Sequence, residues 1–166
     1  PLVSLFSPRR NLLKIKEMAA VECDVKVLRQ NRGGRVEVQR ISSIDLVPGD
    51  VVEIEDQMLF PCDIVLCAGS VVVNESMLTG ESLPVLKTSL PLHTQSVYDP
   101  EADKRFTLWA GTKSLEARPF GKTKVTGIVL RTGFATAKGR LVRSILFPKP
   151  SNIKFYADSF KFVAVM

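Results

Sequence analysis

The chain has 166 residues, 45% hydrophobic and 24% charged, a balance that fits one globular domain with its own core and excludes an intrinsically disordered segment. Its 23 lysines and arginines against 17 acidic residues leave a formal charge of +6, spread along the chain with local groups at Arg9, Arg10, Lys14 and Lys16 and at Lys138, Arg140 and Arg143. That charge permits contact with phosphate, nucleic acid or an anionic membrane surface, but it is more often just a solvated exterior. The three cysteines, Cys23, Cys62 and Cys67, cannot all pair, have no CxxC spacing and, with the single His93, make a poor zinc set; they read as free thiols in a reducing compartment.

In chain order, "NLLKIKEMAA" at 11–20 carries Leu12, Ile15 and Ala19 at helical spacing and predicts a short helix. Val21, Cys23, Val25 and Val27 then alternate with Glu22, Asp24 and Lys26, the period of a strand with one wet face. The glycines of "NRGG" at 31–34 suit a hairpin turn, so the chain returns with Val36 and Val38 expected inward. Pro48 and Gly49 predict a reversal before a strand through Val51, Val52 and Ile54. "PCDIVLCAG" and "SVVVNES" read as two more strands parted at Gly69. The polar stretch 89–106 reads as a surface excursion, followed by a strand "TLWAGT" at 107–112 whose Trp109 fills core. A loop at 113–123 leads to a closing strand over 124–133, suggested by Val125, Ile128 and Val129. Residues 136–145 predict an amphipathic helix with Leu141, Val142 and Ile145 as its apolar side, ended by "FPKP". The pieces at either end, "PLVSLF" and "YADSFKFVAVM", read as parts of longer elements. No run approaches the roughly 20 apolar residues of a membrane-spanning helix. At least five short strands and no long helix by residue 85 predict an all-β module of folded-over hairpins.

Conventional active-site patterns are nearly absent. His93 has no serine or cysteine partner in sight, and "ARPFGKT" around Lys122 lacks the first glycine of a phosphate-cradling loop. Glu53 and Glu55 are two apart on a strand and line its wet face. One stretch remains, "NESMLTGESLPV" at 74–85, where an apolar strand breaks and then resumes. Gly80 lets the backbone bend, Thr79 and Ser82 offer hydroxyls, Glu81 offers a carboxylate able to accept a proton or orient a water, and Pro84 stiffens the exit. No nucleophile, phosphate cradle or metal set accompanies that carboxylate. Either the turn is merely solvated, or Glu81 works on a centre supplied by something else.

"LVPGDVVEI" at 46–54, "PCDIVLCAGSVVVNESMLTGESLPVLK" at 61–87, "WAGT" at 109–112 and "VTGIVLRTGFATAKGRLVRSILFP" at 125–148 resemble, in order, the actuator domain of P-type ATPases. The finer pattern is similar to the fifth subfamily and its endolysosomal, polyamine-transporting branch. The resemblance implies a mainly β, distorted jelly-roll with short helices near both ends: a helical leader or linker at 1–20, the actuator proper at 21–148 and the start of a membrane-connecting segment at 149–166. It implies that Glu81, on a loop shaped by Thr79, Gly80 and Ser82, positions and activates the water that attacks a phosphorylated aspartate. Asn74 and Glu75 would support that loop, and Pro48, Gly49 and Asp50 match a structural turn. It also implies no cofactor or metal in this stretch, with ATP and Mg2+ held by other domains. The expected partners are the phosphorylation, nucleotide-binding and transmembrane domains of the same polypeptide and, by charge, an anionic membrane surface. The location would be the cytosolic face of a late endosomal or lysosomal membrane, the endoplasmic reticulum being second choice. The phosphorylated-aspartate signature DKTGT is absent from the chain, so the isolated piece is expected to be inactive; the alternating strands and the lack of a spanning run lead to the expectation that it is monomeric. Two other readings stay open on the residues alone: a basic β module binding nucleic acid, which the sparse aromatics disfavour, and a purely structural docking domain.

Overall fold

The computed structural model describes residues 22–31, 33–91, 97–100 and 102–147; the helix expected at 11–20, His93 and the tail after 148 lie outside them. The alternating valines form strand β1 (Asp24–Gln30), which turns into β2 (Val36–Ser42) with Asp24 opposite Ser42 and Gln30 opposite Val36. Then follow β3 (Val51–Glu53), β4 (Asp63–Ala68), β5 (Ser70–Asn74), the one-turn helix α1 (Ser76–Thr79), β6 (Val85–Thr88), β7 (Thr107–Leu108), β8 (Lys113–Arg118), β9 (Thr126–Arg131) and helix α2 (Ala137–Leu146). Two antiparallel sheets result, a six-stranded one in the order β2-β1-β3-β9-β4-β7 and a three-stranded one in the order β6-β5-β8. The architecture is mainly β, as the folded-over hairpins predict, and is consistent with the distorted jelly-roll that the resemblance implies.

The inward residues of both sheets meet in one apolar core that includes Val25, Val27, Val52, Phe60, Ile64, Leu66, Val71, Val73, Leu108 and Val129. Each such side chain withdrawn from water contributes about 1.5–3 kcal/mol before entropy is set against it. The chain passes from the large sheet to the small one at Gly69. There φ is +90°, and a Cβ would lie 2.9 Å from both the Arg118 carbonyl oxygen and Val125 Cγ2, so only glycine fits. This one-residue step from β4 to β5 sets the direction in which β5 runs toward the 75–82 stretch.

Three expectations need correction. Val36 and Val38 are 63% and 54% exposed. β2 is the sheet edge, and β1 pairs with β3 only at Val27 and Leu28, so the hairpin projects past the strands that would cover it. The strand expected over 107–112 ends after Leu108, where Thr112 turns back to donate both its N–H and its hydroxyl to the Trp109 carbonyl, leaving Trp109 half-buried. Conversely, much of the loop expected at 113–123 is β8, whose inward side is built on Ser114 and Ala117 and so carries no apolar alternation. Helix α2 forms as expected, but Leu141 and Ile145 of its apolar side stand exposed.

Candidate functional site

β5 delivers the chain to the loop through Asn74 and Glu75. The Asn74 side-chain oxygen accepts the Ser76 N–H at 2.9 Å, which starts α1. The Glu75 carbonyl then accepts the Leu78 N–H at 2.9 Å, the Thr79 N–H at 3.0 Å and the Thr79 hydroxyl at 3.2 Å. The helix stops after one turn because Gly80, at φ +77°, takes the left-handed conformation while its N–H closes on the Ser76 carbonyl. Thr79 Oγ1 next accepts the Glu81 N–H at 3.2 Å, so one hydroxyl ties the helical turn to the residue that carries the carboxylate. Glu81 and Ser82 are exposed, and Glu81 takes part in none of the ion pairs among the described residues. Met77 and Leu83, 78% and 75% exposed, flank it. The loop is internally bonded, projecting and rimmed with apolar side chains, with its acid free of local partners.

Below the loop the electrostatics reverse. Glu75 is buried, and its Oε1 lies 2.7 Å from Nζ of Lys87, itself 3% exposed on β6. Lys87 was not among the residues the motif singles out; a lysine in a strand reads as wet face.

Pro48, Gly49 and Asp50 form a separate node. Gly49 turns at φ +98° and donates to the Val129 carbonyl at 2.8 Å, while the Asp50 carbonyl accepts the Val129 N–H at 2.9 Å. Arg29 grips the Asp50 carboxylate with two nitrogens, at 2.9 and 2.7 Å, and the Val47 N–H adds a third bond at 3.0 Å. The hydrogen bond from Arg29 above all, helped by Val47, holds the Asp50 carboxyl below its usual range against the opposing effect of burial. This node joins β1 to β9, and no hydrogen bond among the described residues links it to the 79–82 loop.

Asp63 is a further acid that motif reading passes over. It is 1% exposed, and its two oxygens accept the Ala110 N–H at 3.0 Å and the Ala137 N–H at 2.9 Å. It therefore fastens the 109–112 turn to the first residue of α2, whose next turn is capped by Thr136 Oγ1 accepting from Gly139. Burial raises its pKa, opposed by these two backbone bonds and by the charges of Arg131 and Arg140.

Other candidates recede. The Thr123 hydroxyl of the "GKT" turn is spent on the Phe120 carbonyl at 2.7 Å. Burial pushes the Cys62 thiol up to about 12 and raises Cys23 and Cys67 as well, which disfavours the thiolate that a nucleophile needs. No three His, Cys, Asp or Glu side chains gather as a metal set among the described residues.

Comparison with known proteins identifies the family. A family model described as the P-type ATPase actuator domain matches residues 19–146. The chain is 45% identical to the polyamine-transporting ATPase 13A3 of Mus musculus over 96% of its length, and 46% identical to the polyamine-transporting ATPase 13A2 of the same species over 99%. It is 41% identical over 98% to the vacuolar cation-transporting ATPase YPK9 of Saccharomyces cerevisiae (strain ATCC 204508 / S288c). The chain spans 14% of the length of each mouse relative and 12% of the yeast one. Among solved structures, a zinc-transporting PIB-type ATPase in its E2.Pi state superposes with a TM-score of 0.56, covering 92% of this chain and 22% of that one. At 24% identity that likeness speaks for the fold alone.

Proposed function

The chain belongs to the P-type ATPase actuator-domain family, in the group of the 13A polyamine- and cation-transporting ATPases, and from that premise we propose that it serves a longer transport ATPase by bringing Glu81 to an aspartyl phosphate on another domain. The observation that carries this reading is the build of the loop: Gly80 and the Thr79 hydroxyl hold Glu81 at the tip of a projecting, internally bonded turn, its carboxylate in none of the ion pairs among the described residues. In the step itself a water oxygen attacks phosphorus, the bond from phosphorus to the aspartyl oxygen breaks, and the water proton passes to the Glu81 carboxylate. The products are inorganic phosphate and a free aspartate. Thr79 and Gly80 fix the direction of the carboxylate, and Met77 and Leu83 exclude solvent when the loop meets the other domain. Rigid delivery matters because an acyl phosphate has to survive until cargo is committed and then be cleaved quickly; orientation, switched by domain rotation, separates the two phases.

ATP and Mg2+ belong, on this reading, to the phosphorylation and nucleotide-binding domains, where Mg2+ supplies charge neutralisation at the phosphoryl group. The transported species is a polyamine or another cation, as the relatives' names suggest, and the membrane is endolysosomal, in keeping with the vacuolar yeast relative. The domain would sit on the cytosolic face.

The test is Glu81→Gln in the full-length protein, followed by phosphorylation and chase. Glutamine keeps size and one carbonyl acceptor but loses the ability to take a proton, so aspartyl phosphate should form normally and decay about a hundredfold to ten-thousandfold more slowly. Decay at the wild-type rate would leave Glu81 a bystander and favour the docking-domain alternative.

A further inference from the structure

The strand that leaves the loop is built inside out. In β6, Val85 and Leu86 face solvent while Lys87 is the buried residue. Burying an ammonium group is unfavourable unless charge and hydrogen bonds meet it, and two groups do. Nζ lies 2.7 Å from Glu75 Oε1 and donates to the Lys104 carbonyl at 2.9 Å. Glu75 heads the loop: its carbonyl holds the N–H groups of Leu78 and Thr79 and the Thr79 hydroxyl, and that hydroxyl in turn accepts from Glu81. A short bonded path therefore runs from the Lys87 ammonium through Glu75 and Thr79 to the backbone of Glu81. The pair also joins the residue that enters the loop to one that leaves it, and the contact with Lys104 ties both to the 104–106 turn before β7.

A buried ion pair is weak evidence of stability, since apolar residues of similar volume often serve as well or better. What it supplies that apolar packing does not is direction. Glu75 Oε1 is sealed from water and has no aligned hydrogen-bond donor among the described residues; the cation that faces it is Nζ of Lys87, a contact off the hydrogen-bond line. Take that cation away and the carboxylate has reason to leave the interior, carrying with it the carbonyl on which α1 is built.

We propose that Lys87 is the positioning residue of the 79–82 loop, holding Glu75 inside so that Thr79 and Gly80 aim Glu81 at the phosphorylated centre. The inference rests on the reading of Glu81 given above. It adds a residue outside the loop, one that touches neither water nor phosphate and acts only through Glu75.

Four variants of the full-length protein test it: Lys87→Met, Glu75→Gln, the two together, and Glu81→Gln as reference. The readouts are the level of phosphoenzyme formed from ATP and the rate of its decay, because a merely structural loss would lower both. Lys87→Met should form phosphoenzyme at the wild-type level and slow its decay by about tenfold to a hundredfold, the size expected of a displacement near one ångström. The double variant, with no bare charge left inside, should recover most of that loss. Wild-type decay in Lys87→Met beside a blocked Glu81→Gln overturns this inference and leaves the role of Glu81 standing. Wild-type decay in Glu81→Gln overturns the reading of Glu81 and this inference with it. Equal loss of phosphoenzyme in Lys87→Met and in the double variant makes Lys87 a core support and overturns the positioning role. If Lys87→Met yields no folded protein, Glu75→Gln decides, and its decay at the wild-type rate is the overturning result.

Discussion

Gly80 offers a way to separate loop conformation from loop chemistry. Its φ of +77° and ψ of −5° lie in the left-handed region, and a Cβ placed there meets no atom within 4 Å. The penalty for a side chain is therefore conformational and not steric, about 1–2 kcal/mol for alanine. Because the loop is exposed, it can relax without unfolding the sheets, so that cost falls on the population of the competent turn. A penalty of about 1–2 kcal/mol is a factor of about 5–30 in such a population, and Gly80→Ala should slow decay of the phosphoenzyme by that factor while its formation and the thermal melt stay unchanged. Gly80→Val, β-branched and a poor fit to positive φ, should fall further. Gly80→Asn should stay close to wild type, since asparagine tolerates the left-handed conformation. The assay is the chase of labelled phosphoenzyme in the full-length protein. Gly80→Asn decaying as slowly as Gly80→Val would refute the reasoning, for it would mean that space at the docked interface, not backbone angle, demands glycine.

Two further predictions concern the framework. Asp63→Ala strips two N–H groups, the buried one of Ala110 and the half-buried one of Ala137, of their acceptor; at about 1–3 kcal/mol for the buried group and less for the other, it should destabilise the domain by about 1–4 kcal/mol in urea unfolding, and a change under about 0.5 kcal/mol would contradict the geometry. Asp50, whose folded pKa lies below its unfolded value of about 4, contributes stability that is present above that value and lost as pH falls through the folded one. Asp50→Asn should therefore flatten the acid side of the stability curve below about pH 4, measured as the difference from wild type. Asp63, raised by burial, contributes with the opposite sign and is common to both proteins, so it drops out of the difference.

Much of the fold is legible where one face is apolar and something covers it. Val25 and Val27 alternate and are buried in β1, and Pro48 with Gly49 marks a real reversal. Val36 and Val38 alternate just as clearly, yet alternation says only that a face is apolar, not that another layer reaches it. β8 fails in the opposite way, because Ser114 and Ala117 pack inward without an apolar signal. Polar residues at the site divide similarly. Glu81 stands out by its motif, whereas Lys87 and Asp63 are hidden by the rule that charge in a strand faces water. For Asp63 a usable signal exists: it heads the run Asp63, Ile64, Val65 and Leu66, all buried, and an unbroken apolar run implies a strand covered on both faces. An acid at the start of such a strand has to find donors inside. No comparable signal marks Lys87, since its partner is 12 residues away across a loop whose geometry the sequence does not specify.

Glu81 differs in setting from three buried acids of this domain, and the difference bears on how the loop reaches its target. Asp50, Asp63 and Glu75 are buried and each is met by a cation or by N–H groups, whereas Glu81 is left outside without either. On the proposed reading, an unpartnered carboxylate has to approach an anionic phosphoryl group. Two unit charges at about 4 Å repel by about 4 kcal/mol at the effective dielectric of a protein surface. The same loop carries Met77 and Leu83, largely exposed here. Burying one such side chain is worth about 1.5–3 kcal/mol, so the two together supply about 3–6 kcal/mol when the loop docks. The opposing effects are of the same size. Docking is then neither so favourable that the actuator stays on the phosphorylated centre nor so costly that it fails to arrive, and small changes of charge on the other domain, such as loss of the phosphoryl group after hydrolysis, suffice to shift the balance. On that reading, a loop flanked by charged residues in place of Met77 and Leu83 would lack the offset that these two exposed apolar side chains supply on either side of Glu81.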